Sequence, residues 1–200
     1  MLRWFKTNHQ ALTAIGAMVV GVAALYVAWD QARVMRAQQH GAVVPALQID
    51  PYVSSPDGSF TMGIRVNNNG VGPAFVESVE VLRDGEVQAS LDPLVTGMPS
   101  NLTDRSWSSM NGRVIAPGEE VTALRLSWAP GSVSGEQANA LLENWDHWDL
   151  RICYCSVFDR CWTASVLTLR DEPTRHCPVQ TIDVFEDFGR PTPDSPETDE

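Results

Sequence analysis

Three of the chain's four cysteines lie within nine residues, in the stretch ICYCSVFDRCW from Ile152 to Trp162. Thiols at this spacing have three chemistries open to them: structural disulfides, capture of a soft metal ion, or redox exchange. In an extended strand Cys153 and Cys155 point to one face, and Ile152 and Tyr154 to the other. Such neighbours are too far apart and too parallel to bond comfortably to each other. A hairpin closed around Val157, Phe158 and Asp159 sets Ser156 opposite Arg160, Cys155 opposite Cys161 and Tyr154 opposite Trp162. Cys177 follows RDEPTRH and can fold back over the sulfur-bearing face to Cys153. The expected bridges are therefore Cys155–Cys161 and Cys153–Cys177, one of the three pairings four cysteines allow. By chain entropy the longer clip is worth roughly 3–4 kcal/mol and the hairpin bond roughly 2 kcal/mol.

Metal is the sharper alternative. Cys153 and Cys155 would present two soft thiolates to Cu(I) or Zn(II). The CYC triplet resembles the cysteine pair of the copper-delivering cytochrome oxidase assembly proteins. Those proteins also carry one membrane helix and an immunoglobulin-like domain outside the membrane. The resemblance rests on Cys153 and Cys155 alone and implies copper handling there. A four-cysteine zinc site more usually has C-x₂₋₄-C spacing, and the C-x-x-C of a thioredoxin-like pair is absent. Structural bridges are the favoured reading, with no cofactor.

Other reactive groups are sparse. His147 stands between Asp146 and Asp149 in WDHWD, an acid–base or divalent-metal set if the three converge. A solvated loop is the plainer reading, there and for His176 beside Cys177. GSVSG has Val133 where a nucleophile elbow needs serine. GVGPAF ends on Phe75 instead of glycine, and Pro73 removes an N–H that a phosphate loop would use. Trp107, Trp128, Trp145, Trp148 and Trp162 would stack on sugars if exposed, but aromatics of a sandwich are usually core. No catalytic constellation emerges, so a non-enzymatic role is expected.

The elements that must position these residues begin with a membrane segment. Residues 11–29, ALTAIGAMVVGVAALYVAW, carry no charge and are long enough as a helix to cross most of a hydrocarbon core. Tyr26 and Trp29 suit the headgroup region. Arg3 and Lys6 would also fit a secretory signal, but no small-x-small cleavage pair follows the apolar run. An uncleaved anchor is expected after a flank at 1–10. A helical stalk at 30–44 follows, and its DQARVMRAQQHG ends on glycine. Thr13, Ala17 and Gly21 form a small-xxx-small face on which a second copy could pack. Basic residues are nearly balanced across the segment, so the cysteines decide its orientation. Four of them fit an oxidising compartment, placing the amino terminus in the cytoplasm and the domain outside. In a bacterium that is the periplasm.

From residue 45 to 180 the texture is β. FTMGIRV alternates Phe60, Met62, Ile64 and Val66 against Thr61, Gly63 and Arg65. VESVEVLRDGEVQAS reads as a hairpin around Asp84-Gly85. EVTALRLSW puts Leu124, Leu126 and Trp128 on one face. Ser134 and Gln137 form a capping box ahead of one short helix. Seven or eight strands with turns between them predict an immunoglobulin-like antiparallel β-sandwich. The junction VNNNGVGPAF resembles the N-N-G-x-G-P-A motif of single-pass bacterial proteins with an extracytoplasmic immunoglobulin-like domain. Asn68, Asn69, Gly70, Gly72, Pro73 and Ala74 carry the likeness. It implies an architecture and no activity; the glycines are expected to supply positive φ.

The net charge is −11, and no basic run exists, which argues against nucleic-acid partners. Residues 181–200 hold seven acids against one base and three prolines. This segment is expected to be a disordered acidic tail. Within it TIDVFEDFG alternates acids with Ile182, Val184, Phe185 and Phe188, a candidate docking motif for a partner protein, though a last strand or a loosely packed end of the domain is the plainer reading. The whole reads as a membrane-anchored extracytoplasmic interaction module, an accessory subunit of an envelope complex.

Overall fold

In a computed structural model of the chain, the described residues are 9–96, 98–99, 101–168, 171–180 and 183–188. They fall into two compact units, divided after Ala42. The first is a single helix, α1, His9–Gly41. An 18-residue window within Thr13–Gly41 has a mean hydropathy of 1.6 and is exposed along its whole length among the described residues. At 33 residues α1 is about 50 Å long, so the apolar run and the foreseen stalk form one rod. It is long and apolar enough to cross a membrane.

The second unit holds ten strands in two antiparallel sheets. They are β1 Leu47–Ser54, β2 Phe60–Asn68, β3 Ala74–Arg83, β4 Glu86–Gln88 and β5 Leu102–Trp107. Then come β6 Val114–Ile115, β7 Glu120–Trp128, β8 Trp148–Cys155, β9 Cys161–Ser165 and β10 Glu172–Thr174. One sheet runs β1-β2-β7-β5 and the other β10-β9-β8-β3-β4, with β6 pairing β3. In immunoglobulin lettering these are A-B-E-D and G-F-C-C′, with an added outer strand beyond G. The count exceeds seven or eight because β6 and β10 are short pieces without a run of alternation to betray them. Pro51 within β1 and Pro173 within β10 both sit in edge strands, where a missing N–H costs no ladder bond.

Local chemistry fixes the turns. Asp84 (φ 51°) and Gly85 (φ 84°) are both left-handed, which is the type I′ turn that an Asp-Gly hairpin needs. Among the described residues the further α-helices are α2 Asp92–Val95, α3 Gly135–Trp145 and α4 Val184–Asp187. The Ser134 hydroxyl accepts from Gln137 N–H while the Gln137 side chain accepts from Ser134 N–H, so the capping box forms in full. Between the sheets lie Met62, Val66, Leu124, Leu126, Trp128, Leu150, Ile152 and Tyr154, with Phe185 from α4 among them.

The N-N-G-x-G-P-A junction works differently from expectation. Gly70 and Gly72 are not among the positive-φ glycines. A Cβ on Gly70 would lie 2.4 Å from Ala46 N, and one on Gly72 would lie 2.0 Å from Val43 O. Their role is close backbone approach, not handedness. Asn68 holds the crossing together. Its fully buried side chain accepts from Ala46 N–H and Gly70 N–H and donates to Gly72 and Ile115 carbonyls. All four of its hydrogen-bonding places are thus taken.

Candidate functional site

The sulfur cluster is built by β8, β9 and the segment that follows them. In the β8–β9 register, Cys155 faces Cys161 and Tyr154 faces Trp162. Ser156 N–H donates to Arg160 C=O at 2.8 Å, and Asp159 takes φ 54° to close the tip. Ile152 and Tyr154 project into the core and leave the cysteines on the opposite face, as strand alternation requires. Cys155 is bonded to Cys161, and Cys153 to Cys177. None of the described cysteines is free. Cys153 and Cys155 thus belong to separate bridges, and neither offers a thiolate to a metal. The two bridges touch: Cys155 Sγ lies 3.8 Å from Cys177 Sγ.

A strap runs from β10 to α4 across this face. β10 pairs with β9, with Thr174 opposite Cys161. The Cys153–Cys177 bond then pins the strap to β8. Beyond it the Gln180 side chain pairs with the backbone of Val79 twice, accepting from its N–H and donating to its C=O, each at 2.6 Å. Val79 belongs to the part of β3 between its pairings with β6 and β4, so one amide side chain stands in for a missing strand.

The strap ends inside the domain. Asp183 Oδ2 accepts from Ser109 Oγ–H, Met110 N–H and Asn111 N–H, and its Oδ1 accepts from Phe185 N–H. Burial works to raise the Asp183 pKa, but these donors outweigh it and hold the carboxyl below the usual range. Val184, Phe185 and Phe188 are all buried. Phe188 meets Trp107 edge-on at 6.0 Å, with the Arg105 guanidinium 4.8 Å from its ring centre. The docking reading of these side chains has them await a partner; the plainer reading has them close the domain. The domain's own core takes them, because Asp183 and Gln180 hold the backbone where the rings can enter. Ile182 and residues 189–200 lie outside the described residues.

The acid–base candidates do not converge. His147 Nδ1 pairs with Asp84 Oδ1 at 2.7 Å in an exposed contact. Asp149 is buried and accepts from Ser165 Oγ–H and Val166 N–H, tying off the end of β9. The tryptophans are spent on packing: Trp128 and Trp148 are buried, and Trp107, Trp145 and Trp162 pack against the core. An apolar cavity of about 110 Å³ lies among Ile64, Leu124, Leu150, Trp148 and Phe185.

Spacing alone gave no sign of one further pair. The Tyr154 hydroxyl donates to Asp171 Oδ2 and accepts from Leu47 N–H, joining β8, β1 and the start of the strap. Burial, reinforced by Asp171, drives the tyrosine's pKa up, and burial also raises that of Asp171. A buried tyrosine near an acid that follows a strand end was the available signal.

No family model, curated protein or solved structure matches the chain.

Proposed function

We propose that the protein is a membrane-anchored, extracytoplasmic interaction module, a non-enzymatic accessory subunit of an envelope complex. The observation that carries this reading is α1: an apolar helix exposed among the described residues, joined to a sandwich whose described cysteines are all oxidised. An uncovered apolar rod finds its solvent in lipid. Two disulfides suit an oxidising compartment, which supports a periplasmic domain with the amino terminus in the cytoplasm of a bacterium. The divergence of Asp84–His147 from Asp149 favours binding over catalysis. Thr13, Ala17 and Gly21 lie exposed along α1 and offer a face for a second copy.

Two measurements test the reading. Alkaline phosphatase fused after the domain should be active in a bacterial host, since that enzyme needs its own disulfides; an inactive, intact fusion would overturn the topology. Solubilised gently from its own membrane, the chain should migrate in a native gel as part of a larger assembly. Migration as monomer or homodimer there would remove the accessory role.

The second reading is Cu(I) or Zn(II) handling. It draws on the sulfurs of Cys155, Cys161 and Cys177, which lie within 4.8 Å of one another. It requires those bridges to be reduced first. Stoichiometric zinc or Cu(I) retained by the anaerobically reduced, folded chain would support it, and neither retained would exclude it.

A further inference from the structure

The two disulfides form neighbouring bonds with a sulfur–sulfur contact between them. Cys155 Sγ stands 3.8 Å from Cys177 Sγ, in van der Waals contact and outside bonding distance. Cys155, Cys161 and Cys177 present their sulfurs within 4.8 Å of one another. Cys153 and Cys155 occupy the same face of β8, one strand repeat apart, so Cys177 has two candidate partners on a single rail. Thiolate attack on a disulfide sulfur needs this kind of approach. We propose that the cluster is a thiol–disulfide exchange centre, in which opening either bridge passes the break to the other through a Cys155–Cys177 bond. This activity goes beyond the interaction reading and does not rest on it.

The step balances as follows. An external thiolate, such as one arm of a partner dithiol, attacks Cys161 Sγ. The Cys155–Cys161 bond breaks, a mixed disulfide forms on Cys161, and Cys155 leaves as thiolate. Cys155 then attacks Cys177 Sγ. The Cys155–Cys177 bond forms, the Cys153–Cys177 bond breaks, and Cys153 takes the electron pair. No sulfur is oxidised or reduced overall in this second step. Where the partner is a dithiol, its second arm resolves the mixed disulfide and frees Cys161 as a thiol. The partner leaves oxidised by two electrons, and the chain keeps one bridge.

The chemical consequence is directional. Cys153 is buried, 4 % exposed, whereas Cys177 is half-buried. Exchange therefore lets a break made at Cys161, 8 % exposed at the hairpin, deliver a thiol to the still less exposed Cys153. It also moves the anchor of the strap two residues along β8, while Gln180 is held at Val79 three residues further on.

The full chain tests this in two ways. First, Cys161→Ser leaves Cys155 as a free thiol beside an intact strap bond. After incubation near pH 8, acid quench, alkylation and peptide mapping, with fragmentation across Tyr154, part of the population should carry Cys155–Cys177 and an alkylated Cys153. Finding only Cys153–Cys177 with every Cys155 alkylated would overturn the proposal. Second, the wild-type chain pulsed with substoichiometric dithiothreitol needs no variant to fold. Its one-bridge species should include Cys155–Cys177 with Cys153 and Cys161 both labelled. A one-bridge pool made only of the two original bonds would refute exchange even if the serine variant misfolds.

Discussion

Single side chains in this domain do the work of whole contacts, and Asn68 is the clearest case. It is fully buried and bonded at four places around the β2–β3 junction. Replacing it with alanine leaves two backbone N–H groups and two carbonyls without partners, at about 3 kcal/mol or more. The urea midpoint of Asn68→Ala should fall accordingly with the slope unchanged. Two carboxyls make stability depend on pH in opposite senses. The Asp183 pKa is depressed in the folded state, so its contribution is present above the unfolded value, about 3.9, and is lost as pH falls through the folded value. The Asp171 pKa is raised, so its contribution is complete below the unfolded value and is lost as pH rises through the folded one. Urea midpoints followed from pH 7 to pH 2.5 should therefore separate the two variants. Asp183→Asn lowers the midpoint at pH 7 and flattens the acid limb. Asp171→Asn raises the midpoint at pH 7, because the amide avoids the charge's burial cost while still accepting from Tyr154.

At the scale of elements, the strap from β10 to α4 is the part of the domain with the most to lose. Phe185 is fully buried and borders the 110 Å³ cavity, so Phe185→Ala enlarges a void already present. A loss of about 3–5 kcal/mol is expected, read as a fall in thermal midpoint. Ending the chain after Gln180 should cost at least as much, since Asp183, Val184 and Phe188 leave with Phe185. Unchanged melting would mean that the strap's end is not part of the folded unit. The contrast between this strap and the β8–β9 hairpin shows what the sequence made legible. In the hairpin, strand period and a three-residue tip determine which residues face each other, so Cys155 opposite Cys161 and Tyr154 opposite Trp162 follow from counting. The four-residue capping box at Ser134 is legible for the same reason. The strap has no such period. Its docking depends on Gln180 finding Val79 about a hundred residues away, and on Asp183 finding Ser109, Met110 and Asn111. Its acids read as solvated because composition carries no information about those partners. The glycines of the junction were visible as a motif, but their reason was hidden: the backbone they admit, Val43 to Ala46, belongs to another segment.

For the whole molecule, the division after Ala42 makes a prediction about where the folded domain begins. The first strand starts at Leu47, yet the four residues before it are already bound in place. Val44 C=O accepts from Val71 N–H and Gly72 N–H, and Ala46 C=O accepts from Asn69 N–H. Asn68 in turn accepts from Ala46 N–H, and Gly70 and Gly72 lie against this backbone. A fragment of residues 43–200 should therefore be soluble without detergent and melt within a degree or two of the full chain. A fragment of residues 47–200 keeps every strand but strips Asn68, Val71 and Gly72 of partners. It should melt roughly 2–8 °C lower, as a loss of about 1–2 kcal/mol implies for a domain of this size. The longer fragment also separates anchor from domain in cells. Full-length protein should stay with membranes through an alkaline carbonate wash, while residues 43–200 behind a cleavable secretion signal should appear free in the periplasm with both disulfides formed. If the fragment instead stays on the membrane, the sandwich binds lipid or a membrane partner without help from α1. If the full chain washes off in carbonate, α1 is no anchor.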